Sequence, residues 1–158
     1  MTIIGIDPGS EKTGYGVIRK LPRSKLECLT YGCITTPRTQ TRAERLLFLE
    51  KELSSLLSRI KPDVGAVESL FFFKNLKTVM PVSEGRGIAL LSLARRKIPV
   101  HEFSPLQVKM AIAGYGRAEK RQVQYMVKEI LRLEVIPKPD DAADGLAIAI
   151  ACSFSLRG

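Results

Sequence analysis

The sequence has little of what soft-metal or membrane chemistry needs. Only three cysteines are present, Cys28, Cys33 and Cys152. They form no CxxC pair and have no neighbouring histidine, so a zinc site is not indicated and they read as small core hydrophobes. The single histidine, His101, sits in an apolar stretch and reads as structural. No apolar run approaches the ~18 residues of a spanning helix. The N-terminus enters an apolar segment without a basic region and cleavage site, so a cytoplasmic protein with no membrane partner is expected. Internal repeats and low-complexity tracts are absent.

Acidic residues are outnumbered. Sixteen Asp and Glu stand against 25 Lys and Arg in 158 residues, a formal charge of +9. Such a surface attracts polyanions, and nucleic acid is the expected partner. The length suits one compact domain spanning 1–158.

Thr2 to Asp7 is short, rich in β-branched residues and stopped by Pro8-Gly9, which reads as a buried strand. Gly14 to Lys20 and Leu26 to Thr35 follow as extended runs around a Pro22-Arg23-Ser24 turn, giving an antiparallel meander. Thr41 and Glu44 have capping-box spacing before apolar positions at Leu46, Leu49, Leu53, Leu56 and Ile60, which predicts an amphipathic helix ended by Pro62. Val64 to Val67 is a short strand terminating at Glu68. A helix over about Val82 to Arg96 and a strand over Ile98 to Phe103 come next. Ser104, Pro105 and Gln107 then open a short helix. Further helices are expected over about Ala118 to Leu133 and Asp140 to Phe154.

Two acids stand at strand ends. An unpaired carboxylate loses several kcal/mol of hydration when buried, so Asp7 and Glu68 need a compensating partner. Neighbouring strands could bring both to one sheet edge. Asp141 and Asp144 lie three apart, on one face of the last helix. Like charges at ~4 Å repel by about 4 kcal/mol at an effective dielectric of 20, so a cluster of four needs metal or shifted pKa values. Hard oxygen ligands favour Mg²⁺, with Mn²⁺ as a substitute, over zinc. Two such ions would suit phosphodiester hydrolysis. Taken singly, three of these acids have a plainer explanation, as an Asp-Pro-Gly turn, a strand-end surface acid, or Asp141 with Asp140 favouring a helix N-terminus; Asp144 has none comparable, and together the plainer readings weaken.

A basic, aromatic-bearing set accompanies the acids. Lys109, Arg117, Lys120, Arg121, Lys128 and Arg132 fall in one segment opposed only by Glu119 and Glu129, a candidate phosphate-binding surface. Phe71, Phe72 and Phe73 cannot all face one buried layer if extended, which leaves Phe71 a candidate for stacking on a base.

Several motifs together resemble those of the RuvC family of bacterial Holliday junction resolvases. They are Ile4-Gly5-Ile6-Asp7-Pro8-Gly9 with Thr13-Gly14-Tyr15-Gly16, Val67-Glu68 before Phe71, Lys74-Asn75, Gly85-Arg86-Gly87, Gln107-Val108-Lys109, Ala118-Glu119-Lys120 and Asp141-Ala142-Ala143-Asp144-Gly145-Leu146-Ala147. The resemblance implies an α/β, ribonuclease H-like fold with a five-stranded mixed sheet flanked by helices. It implies a homodimeric endonuclease that nicks opposed strands of four-way junction DNA, working beside a RuvA and RuvB branch-migration complex. The family's metal-binding acids fall on Asp7, Glu68, Asp141 and Asp144, its basic residues near the scissile phosphate on Lys109 and Lys120, and its aromatic wedge on Phe71. Arg86, Arg117 and Arg121 join Phe71, Lys109 and Lys120 as expected DNA contacts. Two features depart from the pattern: Pro81 stands where a helix would continue, and Gly145 where alanine is common.

Other functions share parts of this pattern. Asp7, Gly9, Thr13 and Gly14 also resemble the first phosphate loop of ATP-binding phosphotransferases of the actin and sugar-kinase fold, although that fold needs two domains. A non-catalytic DNA-binding relative would not need all four acids. A related nuclease acting on RNA differs little at this level.

Overall fold

The computed structural model describes residues 1–9, 11–69 and 76–156. Five strands are present among them: β1 (Thr2–Asp7), β2 (Lys12–Lys20), β3 (Leu26–Thr35), β4 (Val64–Glu68) and β5 (Val100–Phe103). They form one mixed sheet in the order β3-β2-β1-β4-β5. The β1–β2 and β2–β3 pairs are antiparallel, and β4 and β5 extend the sheet in parallel. The helices are α1 (Arg42–Ile60), α2 (Leu76–Ala94), α3 (Pro105–Ala113), α4 (Lys120–Leu131) and α5 (Asp140–Ser155). This is the expected α/β, ribonuclease H-like architecture.

Alternation along the strands divides the core into two layers. Ile4, Ile6, Val17 and Val67 face α1 and α2, where Leu49, Leu53, Leu57 and Leu93 meet them. Ile3, Ile18 and Ala66 face α3, α4 and α5. A period of two then puts Asp7 and Glu68 on the α5 side. The strand that carries Asp7 and the strand that carries Glu68 run parallel, with Ile6 beside Val67. Both acids therefore leave the same edge of the sheet.

Both sequence-predicted capping boxes form, at Thr41–Glu44 and Ser104–Gln107. The helix expected from Val82 starts earlier, at Leu76, and runs through Pro81. Proline removes one backbone donor and crowds the preceding turn. Close to the N-terminal end of α2, that costs a single early bond and does not end the helix.

Helix α5 lies directly on the sheet, with Leu146, Ile148 and Ile150 fully buried. Each such side chain contributes about 1.5 to 3 kcal/mol of apolar burial. Its close approach depends on glycines facing each other across the contact. A Cβ at Gly145 would stand 2.6 Å from the Tyr15 carbonyl carbon and 2.7 Å from the Gly16 nitrogen, and one at Gly5 would stand 2.2 Å from the Gly145 oxygen. In this chain Gly145 is therefore a spacing requirement as well as a propensity loss. Gly145→Ala would gain up to about 1 kcal/mol of helix propensity, but overpacking against backbone costs about 1 to 3 kcal/mol. We expect net destabilisation, read as a lower urea midpoint with an unchanged slope; a raised midpoint would show that α5 can lift off the sheet at little cost.

Candidate active site

A cleft of about 230 Å³ opens at the sheet edge, lined by Asp7, Glu68 and Asp144 together with Lys109 and Lys120. Its apolar wall is Pro105, Val108, Val123, Ala147 and Ile148. The ends of β1 and β4 supply two acids, the first turns of α5 the third, and α3 and α4 one lysine each. Asp141 is not part of the cleft lining. Its charge nevertheless acts on Asp7 and Asp144, so it flanks the same group.

Asp7 is the hub of the cluster. Burial, then the charges of Glu68, Asp144 and Asp141, push its carboxyl up to about 8. Glu68 is pushed up to about 7 by burial and by Asp144, against the opposing effects of a hydrogen bond with Asp7 and the charges of Lys120 and Lys109. Burial also raises Asp144, although Lys120 pulls it back. For Lys120, burial opposes the ammonium form, but the hydrogen bond and charges of Asp144, Asp140 and Asp141 prevail and raise it.

One cation already sits among these acids. Lys120 Nζ donates to Asp144 Oδ2 at 2.9 Å and lies 3.9 Å from Asp140 Oδ2. Among the described residues, no three carboxylate, imidazole or thiol groups close around one point as the side chains stand. By charge and donor chemistry the four acids do fit a divalent ion: all offer hard oxygen, and added positive charge would offset the burial and the mutual repulsion that raise Asp7 and Glu68. An entering ion competes with Lys120 for Asp144.

The basic residues are distributed unevenly. Lys109 lines the cleft. Arg117 is exposed in the turn before α4, and Arg121 lines a neighbouring groove with Tyr115 and Tyr125. Arg86 is mostly buried and paired with Glu102 of β5; Glu102 lies beside Val67 in the sheet, on the α2 face and not in the cleft lining. Phe71, Phe72, Phe73, Lys74 and Asn75 lie outside the described residues. Cys33, read from sequence as a core hydrophobe, is at the rim. Burial raises its thiol, hydrogen bonding to Thr35 opposes that, and the charges of Asp141 and Asp7 add to the rise. Counting the hairpin register would have found it, since Cys33 pairs with Gly14 and Gly14 with Asp7.

An acid raised on folding takes up a proton as the chain folds. Unfolded chains release the Asp7 proton near its ordinary value of 3.8 and folded chains only near 8. Between these values the native state binds more protons, so stability falls as pH rises. In EDTA, the melting temperature should decline from about pH 4 to about pH 8, and Asp7→Asn should flatten that decline. Asp144, which has Lys120, should give less relief. A melting temperature for the parent that rises through this window would show that Asp7 is not held protonated.

The description "Crossover junction endodeoxyribonuclease RuvC" belongs to a family model that matches residues 3–152. A protein so described from Ruminiclostridium cellulolyticum is 52% identical over 157 residues, covering 99% of this chain and 94% of that one. Another from Syntrophomonas wolfei is 49% identical, covering 99% and 91%. The solved structure of Thermus thermophilus RuvC in complex with a Holliday junction superimposes with a TM-score of 0.91 at 34% identity, covering 98% of this chain and 93% of that one. With its two faces, its edge carboxylates and these likenesses over nearly its whole length, the chain belongs to the RuvC family of crossover junction endodeoxyribonucleases.

Proposed function

We propose that this chain, as a single domain over 1–158, resolves four-way DNA junctions by hydrolysing phosphodiester bonds in two opposed strands. The observation that carries this reading is the carboxylate cleft flanked by Lys109 and Lys120 on a surface of net charge +9. Acids alone would repel DNA, and a basic rim alone would not cut it.

Asp7, Glu68, Asp141 and Asp144 would hold two Mg²⁺ ions, with Mn²⁺ substituting, and these would activate the attacking water and stabilise the leaving oxygen. Asp7, on which the charges of all three other acids act, would be the ligand whose loss disturbs the set most. Lys109 and Lys120 hold the scissile phosphate by charge-assisted contacts. Val108, Val123, Ala147 and Ile148 keep one wall of the cleft dry, which strengthens every charge interaction inside it. Arg117 and Arg121 bind flanking phosphates, Arg86 supports the DNA face from its pair with Glu102, and Phe71 stacks at the crossover. Symmetric nicking needs two cleft copies, hence a homodimer, with RuvA and RuvB supplying branch migration in the cytoplasm.

The direct test incubates the protein with a synthetic four-way junction, a linear duplex and an RNA–DNA hybrid, each with Mg²⁺ or EDTA. Paired nicks in the junction alone, and only with metal, are expected; preferential cutting of the hybrid would overturn the junction assignment. Asp7→Asn should abolish cleavage while retaining junction binding in a gel shift, because phosphate contacts supply most of the affinity. Loss of binding along with cleavage, in a protein folded by circular dichroism, would count against the assignment. Junction affinity should also fall steeply with salt, by about 0.9 log units per neutralised phosphate for each log unit of salt, and a flat dependence would remove the polyanion reading.

A further inference from the structure

We infer that Asp140 is a positioning residue for Lys120: it keeps the Lys120 ammonium at the mouth of the cleft once Asp144 is drawn away. The inference rests on the nuclease reading above and concerns a carboxylate outside the four proposed ligands.

Asp140 and Asp144 are four residues apart on α5 and so face the same side. Lys120 Nζ stands between them, 2.9 Å from Asp144 Oδ2 and 3.9 Å from Asp140 Oδ2. Asp140 is itself held. Lys138 Nζ donates to its other oxygen, Oδ1, at 2.8 Å, which leaves Oδ2 toward Lys120. From α4, one turn beyond Lys120, Gln124 is 5% exposed. Its carboxamide acts on the Asp140 carboxyl, and its Nε2 makes no well-formed hydrogen bond. Helix α4 thus directs two groups, Lys120 and Gln124, toward the start of α5.

The arrangement answers a competition. An ion that engages Asp144 would compete with Lys120 for its charge and for Oδ2, and a lysine whose partner is weakened regains rotamer freedom. Its side chain is already 54% exposed, and apart from Asp144 the one carboxylate within ion-pair distance of it among the described residues is Asp140. A second carboxylate one turn away, outside the ligand set, limits that excursion. Lys120 then remains in the cleft that Lys109 also lines, where both could reach a bound phosphate. The alternative is that Asp140 only favours the α5 N-terminus through the helix dipole, which predicts an effect on stability and none on cleavage.

A double-mutant cycle separates the two. The parent, Asp140→Asn, Asp140→Glu, Lys120→Met and the Asn/Met double variant are compared by single-turnover junction cleavage at saturating enzyme in Mg²⁺, and by junction affinity in EDTA. Asp140→Asn should slow cleavage about fivefold, the scale of one exposed ion pair, with affinity unchanged within about twofold. Asp140→Glu should recover most of the rate. In the Lys120→Met background, Asp140→Asn should slow cleavage no further. If Asp140→Asn cleaves at the parental rate, slows Lys120→Met by the same factor, or is not rescued by Asp140→Glu, the proposal fails while the nuclease reading stands. A parent that does not cleave junctions overturns both.

Discussion

The contact on which the rest of the structure depends is the direct seating of α5 on β1 and β2. Backbone closes on backbone where Gly5, Gly16 and Gly145 meet, with the Leu146 side chain against Gly16, and the Asp141 main chain closes on Gly14 in the same way. This brings one acid-bearing helix down over the sheet edge where Asp7 and Glu68 emerge. A larger residue at any of these contacts would raise α5, and the carboxylates would part as the helix rose. The apolar stretch from Leu146 to Cys152, buried throughout, holds the helix in place and offsets the mutual repulsion of the acids. Packing and electrostatics therefore oppose each other along a single helix, and packing wins because it is longer.

That opposition is confined to the open end of the sheet. Only a few residues separate the repelling acids from a dry core on either face, yet Asp7 and Asp144 retain partial access to solvent. Deeper placement would raise the hydration cost of the ionised carboxylates. Full exposure would screen the acids from one another and from any ion. The edge is the position at which carboxyls can be raised as far as Asp7 and still be reached from outside.

Much of this was legible in the sequence, for physical reasons that differ by element. Capping boxes are local, so Thr41–Glu44 and Ser104–Gln107 could be read without tertiary information. Strand period places Asp7 and Glu68 on one face once both strands are recognised, and helical spacing does the same for Asp141 and Asp144. The start of α2 was not legible, because Pro81 near a helix N-terminus looks like a boundary when read alone. The reason for Gly145 was hidden too: only the position of Tyr15 and Gly16 distinguishes a required glycine from a poor helix former. Cys33 and the Asp140–Lys120–Asp144 set needed pairing register and the packing of α4 on α5, neither of which local composition encodes.

The remaining question is why a site that favours cations keeps one of its own. Without Lys120, the four acids would present only negative charge to DNA, and burial would hold more of them protonated and poor as ligands. A tethered ammonium moderates both effects, since it supports the ionised form of Asp144 and yet occupies only one of the four acids directly. It is also replaceable. Side-chain contacts of this kind are worth little where solvent reaches them, so a divalent ion held by the proposed ligands would outcompete a single lysine contact. The displaced charge stays on the chain, beside the place where the proposed phosphate must be held. The same residue can thus support ionised carboxylates and serve the substrate, provided that its new position is controlled by a neighbour outside the proposed ligand set.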